Sequence, residues 1–206
     1  MEMSFKQVEQ VFVERFAIDE KRAVGFRARL QHLQRRAMPS GVKTGKGKRA
    51  SYGWMQVIQL MVVLDFLDLG MTPDIAVRRV QQSTDQIIAG IHRVVSRFET
   101  KRKLVNAIDA GSCSFDKAEY IVTSAAVLSF AGVAGQEFLT VVDGRSFFRS
   151  LTDDPAIEPM SAFVNIGTRM MLVANLVGAR MGLTPAETAD DLKNWLDRWA
   201  NEDTLS

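Results

Sequence analysis

In the stretch WMQVIQLMVVLDFLDLG (residues 54–70), apolar side chains recur at steps of three and four residues. This period predicts a helix from Trp54 to Leu69 with an apolar face toward a core. Gly70 fits the position just past the end of the helix, where left-handed backbone geometry favours glycine. The most apolar part, Val57 to Leu64, is far shorter than the roughly 20 residues that span a bilayer. We therefore expect a helix that packs in a protein core.

Further helices are predicted on both sides of this stretch. Upstream, the same apolar spacing indicates a first helix over about residues 5–16. Asp19 then fits the N-cap of a second helix, which ends at the Pro-Ser-Gly sequence of residues 39–41. Downstream, Thr72 and Pro73 fit the N-cap and the first position of another helix.

A narrow apolar stripe follows between residues 85 and 108. Its clearest part consists of Ile87, Ile91, Val94 and Phe98. Two interpretations of this stripe are open: it belongs to a core helix of the same domain, or to a helix through which two copies of the chain dimerise. Its small width favours packing against a single partner.

The character of the sequence changes after Gly111. β-Branched and aromatic runs at 120–123, 138–142 and 161–166 predict three strands. Residues 170–181 are typical of a helix, and Thr184 begins a capping box for the last helix. We therefore predict an α+β fold that is mainly α, with a small C-terminal domain of mixed helices and strands (α/β).

Basic residues are concentrated in the first part of the chain. Residues 1–60 contain 12 Lys and Arg against 5 Asp and Glu, although the net charge of the whole chain is +2. No Asp or Glu occurs between Glu20 and Asp65. A segregated basic block beside an acidic remainder is typical of proteins that bind a polyanion. A solvated basic surface without a partner is the alternative interpretation.

The sequence carries no catalytic or metal-binding motif that we recognise. The glycine- and lysine-rich segment 41–48 lacks the spacing of a phosphate-binding loop, so we expect an exposed loop and no nucleotide hydrolysis. His32 and His92 have no carboxylate at metal-ligand spacing, and Cys113 is the single cysteine. We therefore predict no enzyme activity, no metal site and no cofactor.

Double-stranded DNA is the polyanion that these elements fit best. A basic second helix suits the major groove, where arginine, glutamine and histidine side chains reach base edges. Lysines on a glycine-rich loop suit the phosphate backbone, because they need no fixed geometry. The candidate DNA-binding residues are Arg22, Arg27, Arg29, Gln31, His32 and Arg35 on the helix, and Lys43, Lys46, Lys48 and Arg49 on the loop.

The middle of the chain carries three short signals: Gly47–Tyr52, the Leu-Gly ending at residues 69–70, and residues 30–39. Through these signals, about residues 7–80 resemble the winged-helix domain of MerR-type transcription regulators. Members of that family have a recognition helix, then a wing with glycine, arginine and tyrosine, and then an amphipathic helix. The resemblance therefore implies that Tyr52 is a further DNA-binding residue, on a wing that here has one extra residue.

The resemblance also implies a division of the chain into three parts. Residues 1–82 correspond to the winged helix-turn-helix DNA-binding domain, and residues 83–110 to a linking helix that dimerises. Residues 111–206 correspond to a C-terminal α+β domain for effector binding or oligomerisation, with an effector of unknown identity. Residues 31–33 depart from the family's leucine-arginine-aromatic pattern, so no base preference is transferred. The dimer contact is expected at Ile87, Ile91, Val94 and Phe98.

These observations favour a DNA-binding transcriptional regulator that acts as a homodimer. We expect it to be cytoplasmic and nucleoid-associated, without a membrane partner. One alternative is an architectural or phage-type accessory factor that binds DNA or proteins without sensing a ligand. Another is an enzyme whose dispersed catalytic residues form no motif.

Overall fold

The computed structural model has a mainly helical fold with a small antiparallel sheet, so the predicted α+β class is confirmed. Three of the predicted DNA-binding lysines, Lys43, Lys46 and Lys48, lie outside the residues that the structure describes. The described residues are 1–42, 49–124, 139–146 and 161–203.

Most of the predicted elements are present within a few residues of their expected bounds. The predicted helix at the 85–108 stripe is instead interrupted at residues 97–100. In the described part of the chain, no helix combines the length and the apolarity that crossing a bilayer needs. The helices are α1 (Phe5–Arg15), α2 (Glu20–Arg35), α3 (Trp54–Asp68), α4 (Pro73–Ser96), α5 (Lys101–Asp109), α6 (Ile166–Met181) and α7 (Pro185–Asp203). The strands are β1 (Glu119–Ser124), β2 (Leu139–Asp143) and β3 (Ser161–Asn165).

Helix α3 is buried on every side. All residues from Val57 to Phe66 are buried, and so is Trp54 at the start of the helix. Neighbouring residues of a helix point about 100° apart, so a continuous buried run needs cover from all directions. α4 and α6 supply part of that cover. The prediction of one apolar face was therefore too narrow.

The sheet packs on α4 through β1 and β2. Its strand order is β2-β1-β3, and both pairings are antiparallel. Ile121 of β1 is fully buried and pairs with Val141 and Val164 on its two sides. At Gly90 of α4, a Cβ atom would lie 2.7 Å from Cγ1 of Val141 and 3.0 Å from Cδ1 of Ile166. A side chain at position 90 would therefore push the sheet away from α4.

One hydrophobic core runs through all three predicted domains. It includes Phe12 of α1, Ile88 of α4 and Val177 of α6. α1 packs directly on α6, and the boundary expected between residues 82 and 83 falls inside α4. The N-terminal and C-terminal segments therefore share a core and do not pack as separate units.

The predicted dimer stripe belongs to this core. Ile87, Ile91 and Val94 are at most 1% exposed, and Phe98 packs half-buried against the same core. α7, α6 and the sheet cover α4 within the chain. The prediction of a dimer contact at these residues was wrong, and the core-helix interpretation holds. The spacing identifies an apolar face but carries no information about whether its partner lies in the same chain.

Shortening Ile91 tests the assignment of α4 to the core. We expect Ile91→Ala to lower the free energy of unfolding by about 2–5 kcal/mol, because it leaves a cavity at a fully buried position. Chemical denaturation measures this change. Ser96→Ala, at an exposed position of the same helix, is the control and should stay within about 0.5 kcal/mol of the unchanged protein. An Ile91→Ala variant that keeps its stability but dissociates a dimer in sedimentation would restore the dimer stripe.

Candidate nucleic-acid interface

The outward side of α2 is the candidate interface. Phe26, Leu30 and Leu33 are buried on the inner side of this helix. Residues at successive steps of four, three and four share one face of a helix. Four such residues are exposed on the opposite side, and we call them the outer ridge: Val24, Ala28, Gln31 and Arg35.

Cationic side chains flank the outer ridge. Lys21, Arg22 and Arg29 are exposed on the side of α2 that faces the end of α3. The predicted residues Arg22, Arg29, Gln31 and Arg35 are therefore all exposed on α2, with Arg22 and Arg29 on the side facing α3 and Gln31 and Arg35 on the outer ridge. Lys21 was not among the predicted site residues, although it belongs to the same basic block.

A carboxylate of another helix holds Arg27. Its Nε and Nη2 atoms donate to Glu9 of α1 at 2.9 and 2.8 Å, and its side chain is 54% exposed. These hydrogen bonds raise the pKa of Arg27. This ion pair links α1 to α2, so Arg27 has a structural role in the fold.

His32 is engaged in a similar link at the other end of α2. It is half-buried, and its Nε2 atom accepts a hydrogen bond of 2.8 Å from Nε of Arg36. Arg36 in turn forms an ion pair with Asp74, in the first turn of α4. This chain of contacts fixes the C-terminal end of α2 against α4. His32 therefore positions the helix and is less accessible than Gln31.

Tyr52 does not lie on an exposed wing, and its assignment as a DNA-binding residue was wrong. It is 1% exposed, and its hydroxyl accepts a hydrogen bond from Nε2 of Gln34. Its backbone pairs with Met3 through N···O distances of 2.9 and 3.0 Å. Burial raises the pKa of its phenol. Arg49, three residues earlier, is exposed and stays a candidate for DNA contact.

The N-terminus of α2 is fixed by Asp19. Its carboxylate accepts a hydrogen bond of 2.9 Å from the backbone N–H of Arg22, as an N-cap does. It also pairs with Nε of the Arg22 side chain at 2.8 Å. The hydrogen bonds from the Arg22 side chain and backbone lower the pKa of Asp19. The predicted N-cap is therefore confirmed.

Two positions on the outer ridge were missed in the choice of site residues. Val24 is apolar, yet it is 79% exposed. Ala28 lies next to it on the ridge and is also exposed. The helical spacing of residues 24, 28, 31 and 35 would have placed both positions on one face with Gln31 and Arg35.

The described ranges hold no group of three or more His, Cys, Asp or Glu side chains that are placed to bind a metal ion. Comparison of the chain with protein-family models, with curated proteins and with solved structures finds no match. The resemblance to MerR-type regulators stays a prediction from the sequence.

Replacing Asp19 tests how the start of α2 is held. A carboxyl group whose pKa is lower in the folded state stabilises the fold above its unfolded pKa, and this stabilisation is lost as the pH falls through the folded pKa. We therefore expect Asp19→Ala to lower the Tm at pH 7 and to approach the Tm of the unchanged protein in strongly acidic solution. Circular dichroism during heating, at pH values from 7 to 2, measures the difference.

The matched control is Asp19→Asn, which keeps an oxygen that can cap the helix and should lose less stability at pH 7. A Tm difference for Asp19→Ala that stays constant over the whole pH range would show that the charge of Asp19 does not stabilise α2.

Proposed function

We propose that this chain is a DNA-binding transcriptional regulator that places α2 in the major groove. The supporting observation is the outer ridge of α2, exposed along its length and flanked by Lys21, Arg22 and Arg29. The major groove of B-DNA is about 12 Å wide and admits an α-helix, whose diameter with side chains is about 10–12 Å. In this proposal α1 and α2 form a helix-turn-helix, and the wing predicted from the sequence contacts the DNA backbone.

The residue types on the outer ridge suit contact with bases. The side-chain amide of Gln31 can hydrogen-bond N6 and N7 of an adenine, and the guanidinium of Arg35 can pair with O6 and N7 of a guanine. Val24 and Ala28 are small and apolar, as suits contact with a thymine methyl group. The proposal therefore assigns base readout to Gln31 and Arg35.

The flanking cations suit contact with phosphates. Lys21, Arg29 and Arg49 are exposed, and they form no ion pair with a carboxylate among the described residues. Cations that approach phosphates release condensed counterions, which supplies affinity without sequence preference. The proposal assigns Lys46 and Lys48 to the same role.

The contacts that hold α2 support a preformed recognition surface. The Glu9–Arg27 pair links α2 to α1, and the Arg36–Asp74 pair links its end to α4. A surface that is ordered before binding loses less conformational entropy when the complex forms. We therefore expect DNA to bind without rearrangement of α2.

The proposal includes a homodimer and association with the nucleoid. The dimer contact would involve a surface other than the buried stripe of α4. The alternative is an architectural or accessory factor, and the exposure of Val24 favours it as well, because an apolar side chain on an outward face also fits contact with a protein. Selection of binding sites from random DNA separates the two functions, since a regulator enriches one sequence and an architectural factor does not.

Replacing Gln31 tests base readout. We expect Gln31→Ala to weaken binding to the selected sequence by about 1–3 kcal/mol and to relax the preference at one base position. Fluorescence anisotropy with a panel of single-base variants of the site measures both effects. Gln82→Ala, exposed on α4, is the control. Equal weakening on every sequence would reassign Gln31 to the DNA backbone.

Removing lysines from the wing tests the phosphate contacts. The dependence of log K on log salt has a slope of about −0.9 for each phosphate contact. Replacing Lys46 and Lys48 with Gln should therefore flatten the slope by about 1.8 per bound chain, on every DNA sequence. The double variant of Lys101 and Lys103, both exposed on α5, removes the same charge elsewhere and should leave the slope unchanged. Equal slopes for the two double variants would exclude the wing from the interface.

A further inference from the structure

An open cavity of about 610 Å³ lies between the turn after α1, the side of α2 and the end of α3. Its volume falls within the range of about 300–1,000 Å³ that small-molecule sites occupy. It lies beside the outer ridge and is not part of it. The side chains that line the cavity therefore require a functional interpretation separate from that of the outer ridge.

The floor of the cavity is apolar. Phe26 and Leu64 line it and are buried, whereas Phe16 and Ile18 are half-buried there. The rings of Phe16 and Phe26 lie 6.1 Å apart in a tilted arrangement. The guanidinium of Arg15 lies 4.4 Å from the centroid of the Phe16 ring. This floor suits the hydrocarbon part of a ligand.

The rim of the cavity is mainly cationic. Lys21, Arg22 and Arg29 of α2 line it and are exposed, and Asp68 of α3 is the one carboxylate in the lining. Arg22 already pairs with Asp19, so Lys21 and Arg29 are the cations best placed to take a new anion. An apolar floor with this rim is complementary to a molecule that carries an apolar chain and a negative charge.

Gly25 leaves the wall of the cavity open on the side of α2. It lies within α2 and lines the cavity, and a Cβ atom built on it meets no atom within 4 Å. Neither packing nor a close approach of the backbone therefore requires glycine at this position. Glycine inside a helix costs about 0.5–1 kcal/mol relative to alanine. What its missing side chain does provide is open space in the cavity, whose lining includes Phe16 and Phe26.

We propose that this cavity binds a small amphiphilic carboxylate, such as a medium-chain fatty acid. Its hydrocarbon chain would lie on Phe16, Phe26 and Leu64, and its carboxylate would pair with Arg29 and Lys21. The volume disfavours an acidic helix of a protein partner, because 610 Å³ accommodates about five residues of a helix 10 Å wide.

The test is isothermal titration calorimetry with decanoate, below its micelle concentration and without DNA. Gly25→Leu fills the cavity with a residue that forms helices better than glycine, so its Tm should not fall. Val24→Leu enlarges the neighbouring side chain on the outer ridge and is the matched control. We expect decanoate to bind the unchanged protein and Val24→Leu equally, and Gly25→Leu at least about tenfold more weakly, since a lost apolar contact of about 1.4 kcal/mol gives that factor.

The charge of the ligand is tested with Arg29→Gln and with decanol. Loss of a hydrogen bond to a charged group should weaken decanoate binding by about tenfold or more, and decanol should bind equally to Arg29→Gln and the unchanged protein. Absence of decanoate binding, or equal binding to Gly25→Leu and Val24→Leu, would overturn the proposal. Equal affinity for decanol and decanoate would overturn the assignment of a carboxylate.

One consequence rests on the proposed function. Arg29 is assigned both to the carboxylate and to a DNA phosphate, so saturating decanoate should weaken DNA binding by the unchanged protein but not by Gly25→Leu. Because the calorimetry contains no DNA, failure of the ligand site and failure of DNA binding are distinguishable.

Discussion

Complete burial of α3 is the constraint on which the rest of the structure depends. Two polar side chains, Gln59 and Asp65, lie within its buried run. Each needs a partner, because an unsatisfied buried polar group costs about 1–3 kcal/mol and an unpaired buried charge about 3–5 kcal/mol. Nε2 of Gln59 donates to the hydroxyls of Ser40 and Thr84 at 2.9 and 3.0 Å, which fixes the segment after α2 and the middle of α4. Asp65 forms an ion pair with the buried Arg15 of α1. The need to pair these two buried side chains therefore fixes the positions of the helices around α3.

The position of α2 follows from this arrangement. Its inner residues complete the same hydrophobic core, and its two ends are tied down by Asp19 and by the Arg36–Asp74 pair. Its C-terminal half is also linked to the segment that precedes α3, because Gln34 donates to Tyr52. The outward residues take no part in these contacts. A helix held so firmly on one side presents its other side in a defined geometry, which is what both DNA and a ligand in the neighbouring cavity would require.

Features that depend on neighbouring residues were predictable from the sequence. Asp19 caps α2, Thr184 and Glu187 form the predicted capping box, and Gly182 has a φ of 70° at the end of α6. Features that depend on distant partners were not. Nothing near Arg27 in the sequence indicates that Glu9 pairs with it, and the 3-4 spacing around Ile91 is the same for a core helix as for a dimer helix. The exposed residues Arg29, Gln31 and Arg35 were correctly placed on one helix, since periodicity alone decides that.

The ion pairs in the structure reduce the number of cations on α2 that are available to an anionic partner. The sequence of α2 contains five basic residues, but Arg22 and Arg27 each face a carboxylate of the same chain. A cation that already neutralises a carboxylate releases fewer counterions on binding a phosphate, so it adds less to the salt dependence. Under the proposed function, Lys21 and Arg29 are then the cations of α2 that contact phosphates at full strength, and their combined contribution to the slope is about −1.8 per chain instead of about −4.5 for five. Under the proposed function, the basic block read from the sequence therefore overstates the electrostatic part of DNA binding, and more of the affinity would come from close contacts along the outer ridge.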